Sequence, residues 1–185
     1  HVGDDEEHLT MLEAVVNTTS IPPSQFYPTH INRNAGLLAA GIDWAKRGGY
    51  IDFTTSTTEQ FLSKGEVKAS RALSLALESG VPLSQITCSS DAQGSLPHFN
   101  QDGRLNGCDI GNISSLWATA VEALREEQLP LETVLAAITA NPAKILGLDQ
   151  KGRLAKGTDA DLNLIDPDTF EVRSVMAKGR WMMWD

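Results

Sequence analysis

The chain has 185 residues, of which 41% are hydrophobic and 21% charged, an ordinary globular composition with enough apolar side chains to bury a core. Its 24 acidic and 15 basic side chains leave a formal net charge of −9, which argues against nucleic acid or an anionic membrane as the main partner, since both attract basic surfaces. No run of 18 apolar residues predicts a membrane span, and no basic-then-apolar leader opens the chain. Cys88 and Cys108 are too few for a disulfide framework, and two free thiols predict a reducing compartment, the cytoplasm.

His1-Val2-Gly3-Asp4 reads as the end of a strand whose beginning lies upstream, so a longer or cleaved polypeptide is expected. Asp5 to Val16 is predicted helical, because Leu9, Leu12 and Val16 recur three and four apart and acids cluster near the start. Ser20-Ile21-Pro22-Pro23-Ser24 breaks that helix, and Gln25 to Thr29 is a strand candidate. Ala35 to Arg47 is a second amphipathic helix stopped by Gly48-Gly49, and Tyr50 to Thr54 is a strand of β-formers. Gly65 to Ser79 is a third helix, with Val67, Ala72, Leu73, Leu75 and Leu77 on its apolar side. Gln85 to Ser89 follows as a buried strand, then a loop from Asp91 through Gly111. Helices are predicted over Ile113 to Glu127 and Pro130 to Thr139, with a short last one from Asn141 to Gly147.

This alternation is the βα rhythm of a parallel sheet or (β/α) barrel. After Gly152 the rhythm changes to short strands, Leu162 to Asp166, Val172 to Ala177 and Arg180 to Trp184, separated by Pro, Asp and Gly. The expected architecture is therefore α/β, with a barrel portion over residues 1–150 and a small β segment over 151–185. The second piece is too small to fold alone and must pack on more strands.

Two runs carry the chemistry. In Pro28-Thr29-His30-Ile31-Asn32-Arg33-Asn34, His30 stands at a strand end, where an imidazole is either a metal ligand or a buried, hydrogen-bonded side chain. Arg33 presents a planar fork that suits a carboxylate substrate or, equally, a surface ion pair. In Ser89-Ser90-Asp91-Ala92-Gln93-Gly94-Ser95, Asp91 ends a buried strand and is either a helix cap or a metal-binding or catalytic acid. The residues that follow read as a loop, which favours the second role. Gly94 would let the backbone approach a ligand, and Ser95 would offer a hydroxyl. His1 adds a further imidazole, His8 is expected to be solvated on the first helix, and His98 is expected to stay out of the site. His-Glu-x-x-His, Gly-x-Ser-x-Gly and a phosphate-binding glycine loop are absent from the sequence.

Along nearly its whole length the chain resembles the catalytic half of the isoaspartyl (β-aspartyl) dipeptidases, within the amidohydrolase superfamily of metal-dependent barrel hydrolases. His1-Val2-Gly3-Asp4 resembles the end of barrel strand 5, Pro28-Thr29-His30 strand 6, Gly49 to Thr54 strand 7, and Ser89-Ser90-Asp91 through Ser95 strand 8. Lys156 to Leu162 is similar to the superfamily's C-terminal signature. The resemblance implies the C-terminal half of a (β/α)8 TIM-type barrel, followed by strands of a small β-sandwich domain. It implies that His1 and His30 ligate one zinc of a two-zinc centre. Asp91 ligates the other and acts as general acid/base, Arg33 holds the substrate carboxylate, and Ser95 contacts the aspartyl end. The family's His-x-His pair and carboxylated lysine would lie upstream of His1. The fragment alone is thus expected to be inactive, completed by an upstream segment or a separate chain, and the family suggests a homo-oligomer acting on a small dipeptide.

Two other readings share these residues. A cyclic amide hydrolase of dihydropyrimidinase type would keep the barrel and the zinc ligands and change the substrate. A non-catalytic scaffold would have lost part of the metal site.

Overall fold

The computed structural model describes residues 1–183, so Trp184, expected to close the last strand, lies outside the described residues. The chain forms two compact units, His1–Ile138 and the residues from Thr139 onward. The first contains helices α1 (Thr10–Thr18), α2 (Ala35–Lys46), α3 (Glu59–Ser63), α4 (Ala69–Glu78), α5 (Ser114–Arg125) and α6 (Leu131–Ile138), and strands β1 (Ile51–Thr54), β2 (Ile86–Ser89), β3 (Ser95–Phe99) and β4 (Leu105–Ile110). The second contains α7 (Ala140–Ile145) and the antiparallel sheet β5 (Leu162–Ile165), β6 (Val172–Ala177) and β7 (Arg180–Met183), in the order β5-β6-β7. This is the expected α/β architecture of barrel strands, covering helices and C-terminal β strands; the second unit begins at Thr139 and includes α7, whereas the β segment is expected from sequence over 151–185.

β1 and β2 pair in parallel, with Asp52 opposite Thr87 and Thr54 opposite Ser89. Side chains alternate across a strand. Ile51, Phe53, Ile86 and Cys88 share a buried apolar cluster with Leu37, Leu38 and Trp44 of α2 and with Ala72, Leu73 and Ala76 of α4. The intervening residues Asp52, Thr54 and Thr87 are polar yet also buried. One face of the sheet thus supports the helices, and the other carries buried polar side chains.

The strand expected at Gln25 to Thr29 is not a regular strand: Pro23–Gln25 is a 3-10 turn, and extended backbone follows. That backbone still lies beside β1, because Asp52 N–H donates to Pro28 O at 3.1 Å and Ile31 N–H to Asp52 O at 3.2 Å. A regular parallel rung would use residue 30 for the second bond. His30 instead adopts φ +66°, an inserted left-handed residue that bulges the ladder and swings the chain off β1.

Three other boundaries differ from expectation. α1 starts at Thr10, not Asp5, because His8 adopts φ +50° and residues 6–9 form a turn. The helix expected from Gly65 starts at Ala69; Gly65 at φ +103° ends the short α3, and Val67 lies in the lead-in to α4. The loop expected from Asp91 to Gly111 contains an antiparallel hairpin, β3–β4. Its turn is closed by Asn100 Oδ1, which accepts from Asp102 N–H at 3.0 Å and Arg104 N–H at 2.9 Å, with Gly103 at φ +75°. Gln60 of α3 anchors the hairpin, donating to Phe99 O at 2.6 Å and accepting from Phe99 N–H at 2.9 Å.

Candidate active site

The bulge after Thr29 and the end of β2 bring two far-apart runs together. His30 is 5% exposed, and its Nε2 lies 2.8 Å from Nδ1 of His1 and 4.0 Å from Oδ2 of Asp91. Its other ring nitrogen, Nδ1, is 2.6 Å from Thr54 Oγ1. With Nδ1–H donating to that hydroxyl, Nε2 keeps its lone pair for the site. Burial holds the His30 pKa below the usual imidazole range; the Arg33 charge adds to this and Asp91 opposes it, so the neutral ring is favoured.

The bulge would leave Thr54 without a neighbour on that side of β1. Asn32, 1% exposed, fills the gap with its side-chain amide. Its Oδ1 accepts from Thr54 N–H at 2.8 Å, and its Nδ2 donates to Thr54 O at 3.1 Å and Val67 O at 2.9 Å. Asn32 therefore acts as a surrogate backbone rung, and holds in place the same Thr54 that fixes the His30 tautomer. Arg33 N–H donates to His30 O at 3.0 Å, and Asn34 caps α2 by accepting from Leu37 N–H at 2.8 Å. The Arg33 guanidinium stacks 5.5 Å above the Phe61 ring and, among the described residues, makes no ion pair.

Asp91 also sits in the left-handed region, at φ +49°, and Gln93 follows at φ +68°. Two glycines make this loop possible by close approach. A Cβ on Gly94 would lie 2.8 Å from both the carbonyl oxygen and Oδ2 of Asp91, and one on Gly111 would lie 2.6 Å from the Asp91 carbonyl oxygen. The space expected at Gly94 for a ligand is thus taken by Asp91 itself. Positive φ at non-glycine residues in both runs is the backbone strain that clusters at functional sites.

Ser95 opens β3 rather than lying in a loop; its side chain is exposed and, among the described residues, makes no hydrogen bond to the other four positions. His8 is half-buried against Gly36 of α2 rather than solvated, and its Nδ1 has no hydrogen-bond partner among the described residues. His98 pairs across the hairpin with Asp109 at 2.7 Å.

One residue escaped the sequence reading. Asp52, 3% exposed in the middle of β1, accepts from Thr29 Oγ1 at 2.5 Å and Ser89 Oγ at 2.6 Å on Oδ2, and from Thr87 Oγ1 at 2.6 Å on Oδ1. Tyr27 OH bonds Thr87 Oγ1 in turn. Burial leaves the Asp52 pKa raised overall; the three hydroxyls oppose the rise and the Asp91 charge adds to it.

Two imidazole nitrogens and a carboxylate oxygen are the donors a zinc ion takes, so the chemistry of the set fits a divalent cation. The set is partial: among the described residues no group of three or more His, Cys, Asp or Glu side chains is placed to hold a metal ion by itself. His1 also borders an open cavity of about 530 Å³, with Leu12, Phe26 and Pro28 among its walls.

Comparison with known proteins gives concordant results. The profile of the amidohydrolase family matches residues 60–182. The structure superposes over its full length on a β-aspartyl dipeptidase from the thermophilic keratin-degrading Fervidobacterium islandicum AW-1, solved in complex with a β-Asp-Leu dipeptide, with a TM-score of 0.87 and 40% identity. The chain spans about half of that protein, 47% of its length. Shorter stretches match a dihydroorotase from Halobacterium salinarum, 48% identical over 46 residues, and an allantoinase from Deinococcus radiodurans, 44% identical over 55 residues. Those stretches cover 25% and 30% of this chain, and 11% and 12% of the two proteins.

Proposed function

The chain belongs to the amidohydrolase family, and from that premise we propose that it is part of a zinc-dependent hydrolase that cleaves the isopeptide bond of β-aspartyl dipeptides. The observation that carries this reading is the meeting of His1, His30 and Asp91 around His30 Nε2, with the nearby Arg33 guanidinium stacked on Phe61 and, among the described residues, without an ion pair. The full-length likeness to a β-aspartyl dipeptidase supports the choice of substrate.

In this reading His1, His30 and Asp91 would hold zinc, together with ligands from an upstream segment or a separate chain. Bound zinc supplies Lewis-acid polarisation of the scissile carbonyl and a lowered pKa for the attacking water. Asp91, whose side chain is 32% exposed, takes the proton from that water and passes it to the leaving amine. Arg33 grips the α-carboxylate of the dipeptide with its fork. Ser95, at the base of the hairpin, contacts the aspartyl end. Thr54 keeps the His30 lone pair turned toward the site. The reading extends to a cytoplasmic homo-oligomer; Cys88 and Cys108, both free thiols, are in keeping with a reducing compartment.

The test is release of aspartate from β-Asp-Leu by the full-length gene product, before and after metal stripping and in Asp91→Asn. Activity that survives both treatments refutes the proposal. The local matches to dihydroorotases and an allantoinase favour one second reading, hydrolysis of a cyclic amide. Arg33 separates the dipeptide from an uncharged cyclic amide, because the dipeptide brings a free carboxylate; a cyclic amide that carries its own carboxylate is separated by direct assay of ring opening. Arg33→Met should raise KM for the dipeptide at least tenfold, and an unchanged KM would favour the cyclic substrate. A non-catalytic scaffold would contain no zinc in the natural full-length protein.

A further inference from the structure

Barrel interiors are usually filled by branched apolar side chains. Here the layer beneath the candidate site is Tyr27, Thr29, Asp52, Thr87 and Ser89, all polar and joined by hydrogen bonds. Burying a carboxylate costs several kcal/mol unless its oxygens are fully engaged. Three hydroxyl donors offset part of that cost at Asp52, and their positions in the chain are informative. Thr29 immediately precedes His30. Ser89 comes two residues before Asp91. Both hydroxyls bond the same oxygen, Oδ2, while Thr87 takes Oδ1. One carboxylate atom thus ties together the two strand ends that present His30 and Asp91. Thr29 and Ser89 lie at the last regular rungs on either side, and His30 and Asp91 follow one and two residues later as left-handed residues beyond the ladder.

We propose that Asp52 is a positioning residue of the hydrolytic site, which sets the spacing of His30 and Asp91 by binding the hydroxyls of Thr29 and Ser89 on one oxygen, and so tunes the site's affinity for its metal. The inference rests on the metal-dependent reading above. Groups that orient metal ligands from behind typically change metal affinity or activity by about 10–100-fold when removed.

The experiment uses the full-length protein, with zinc affinity measured by competition against a chromophoric chelator and ligand geometry read from the visible spectrum of the cobalt(II)-substituted form. Asp52→Asn keeps the size and removes the charge and one acceptor. It should weaken zinc binding at least tenfold, shift the cobalt bands, and lower kcat for β-Asp-Leu more than it raises KM. Thr29→Val and Ser89→Ala leave Asp52 intact and each remove one tie; each should weaken zinc binding several-fold, and less than additively when combined with Asp52→Asn. These two variants carry the test if Asp52→Asn does not fold. The proposal is overturned if the folded variants bind zinc as tightly as the wild type with an unshifted cobalt spectrum, even if they melt earlier. A wild type that binds zinc yet leaves the dipeptide intact sinks the substrate assignment and not this inference. A wild type that takes up no zinc overturns both.

Discussion

Asn32 offers the sharpest test of how the site is built. Its amide makes three hydrogen bonds in a buried setting, one accepted from Thr54 N–H and two donated to Thr54 O and Val67 O. Asn32→Ala removes all three, and at about 1 kcal/mol per bond the loss is about 3 kcal/mol. At roughly 2–4 °C per kcal/mol for a chain of this size, the melting temperature should fall by roughly 6–12 °C. Asn32→Asp is the decisive comparison. It is isosteric, but it turns a donor into an acceptor facing two carbonyl oxygens, so it should melt no higher than the alanine variant. Differential scanning calorimetry of wild type and both variants gives the ranking. A melting temperature for Asn32→Ala within 2 °C of wild type, or an aspartate variant as stable as wild type, would refute the view that this side chain substitutes for a strand rung.

Gly111→Ala would put a methyl group 2.6 Å from the Asp91 carbonyl oxygen; under the proposed role of Asp91 as general base, this ångström-scale displacement should reduce activity of the full-length protein by about 100-fold, with KM little changed in steady-state kinetics. Tyr27 has its phenol pushed up to about 12, chiefly by burial. Its folded pKa exceeds the unfolded one, so its share of stability is complete below pH 10 and is lost as pH rises from 10 to about 12. Absorbance at 295 nm should show one tyrosine resisting ionisation until the fold gives way, and complete titration by pH 10.5 in the folded protein would contradict this. Burial also pushes the Cys88 thiol up, while Cys108 is exposed, so a thiol reagent should label Cys108 within minutes and Cys88 only after denaturation.

The parts of the site that sequence made legible lie at strand ends. Pro28-Thr29-His30 and Ser89-Ser90-Asp91 stand out because polar residues follow an extended run, and the structure brings His30 and Asp91 within 4.0 Å of each other. Asp52 was hidden for the converse reason. It sits mid-strand between Ile51 and Phe53, where alternation reads it as an outward polar residue and only tertiary structure turns that face inward. Asn32 was visible as a polar neighbour of His30, but its service to Thr54 depends on a bulge that no spacing announces. The β3–β4 hairpin was missed because all six residues of β4 are exposed and carry no alternating pattern; the available clue was Asn100 followed by Asp102-Gly103. The start of α1 failed at His8, whose left-handed backbone is incompatible with a continuing helix.

The hairpin has a practical consequence. Ser95 stands at its root, Gln60 grips Phe99 partway out, and Asn100 seals the tip with bonds of its own. The stretch beyond Phe99 is therefore a self-contained cassette. Libraries that vary residues 101–103 can be grafted there with Asn100 kept, while the strand ends at His30 and Asp91 stay as they are.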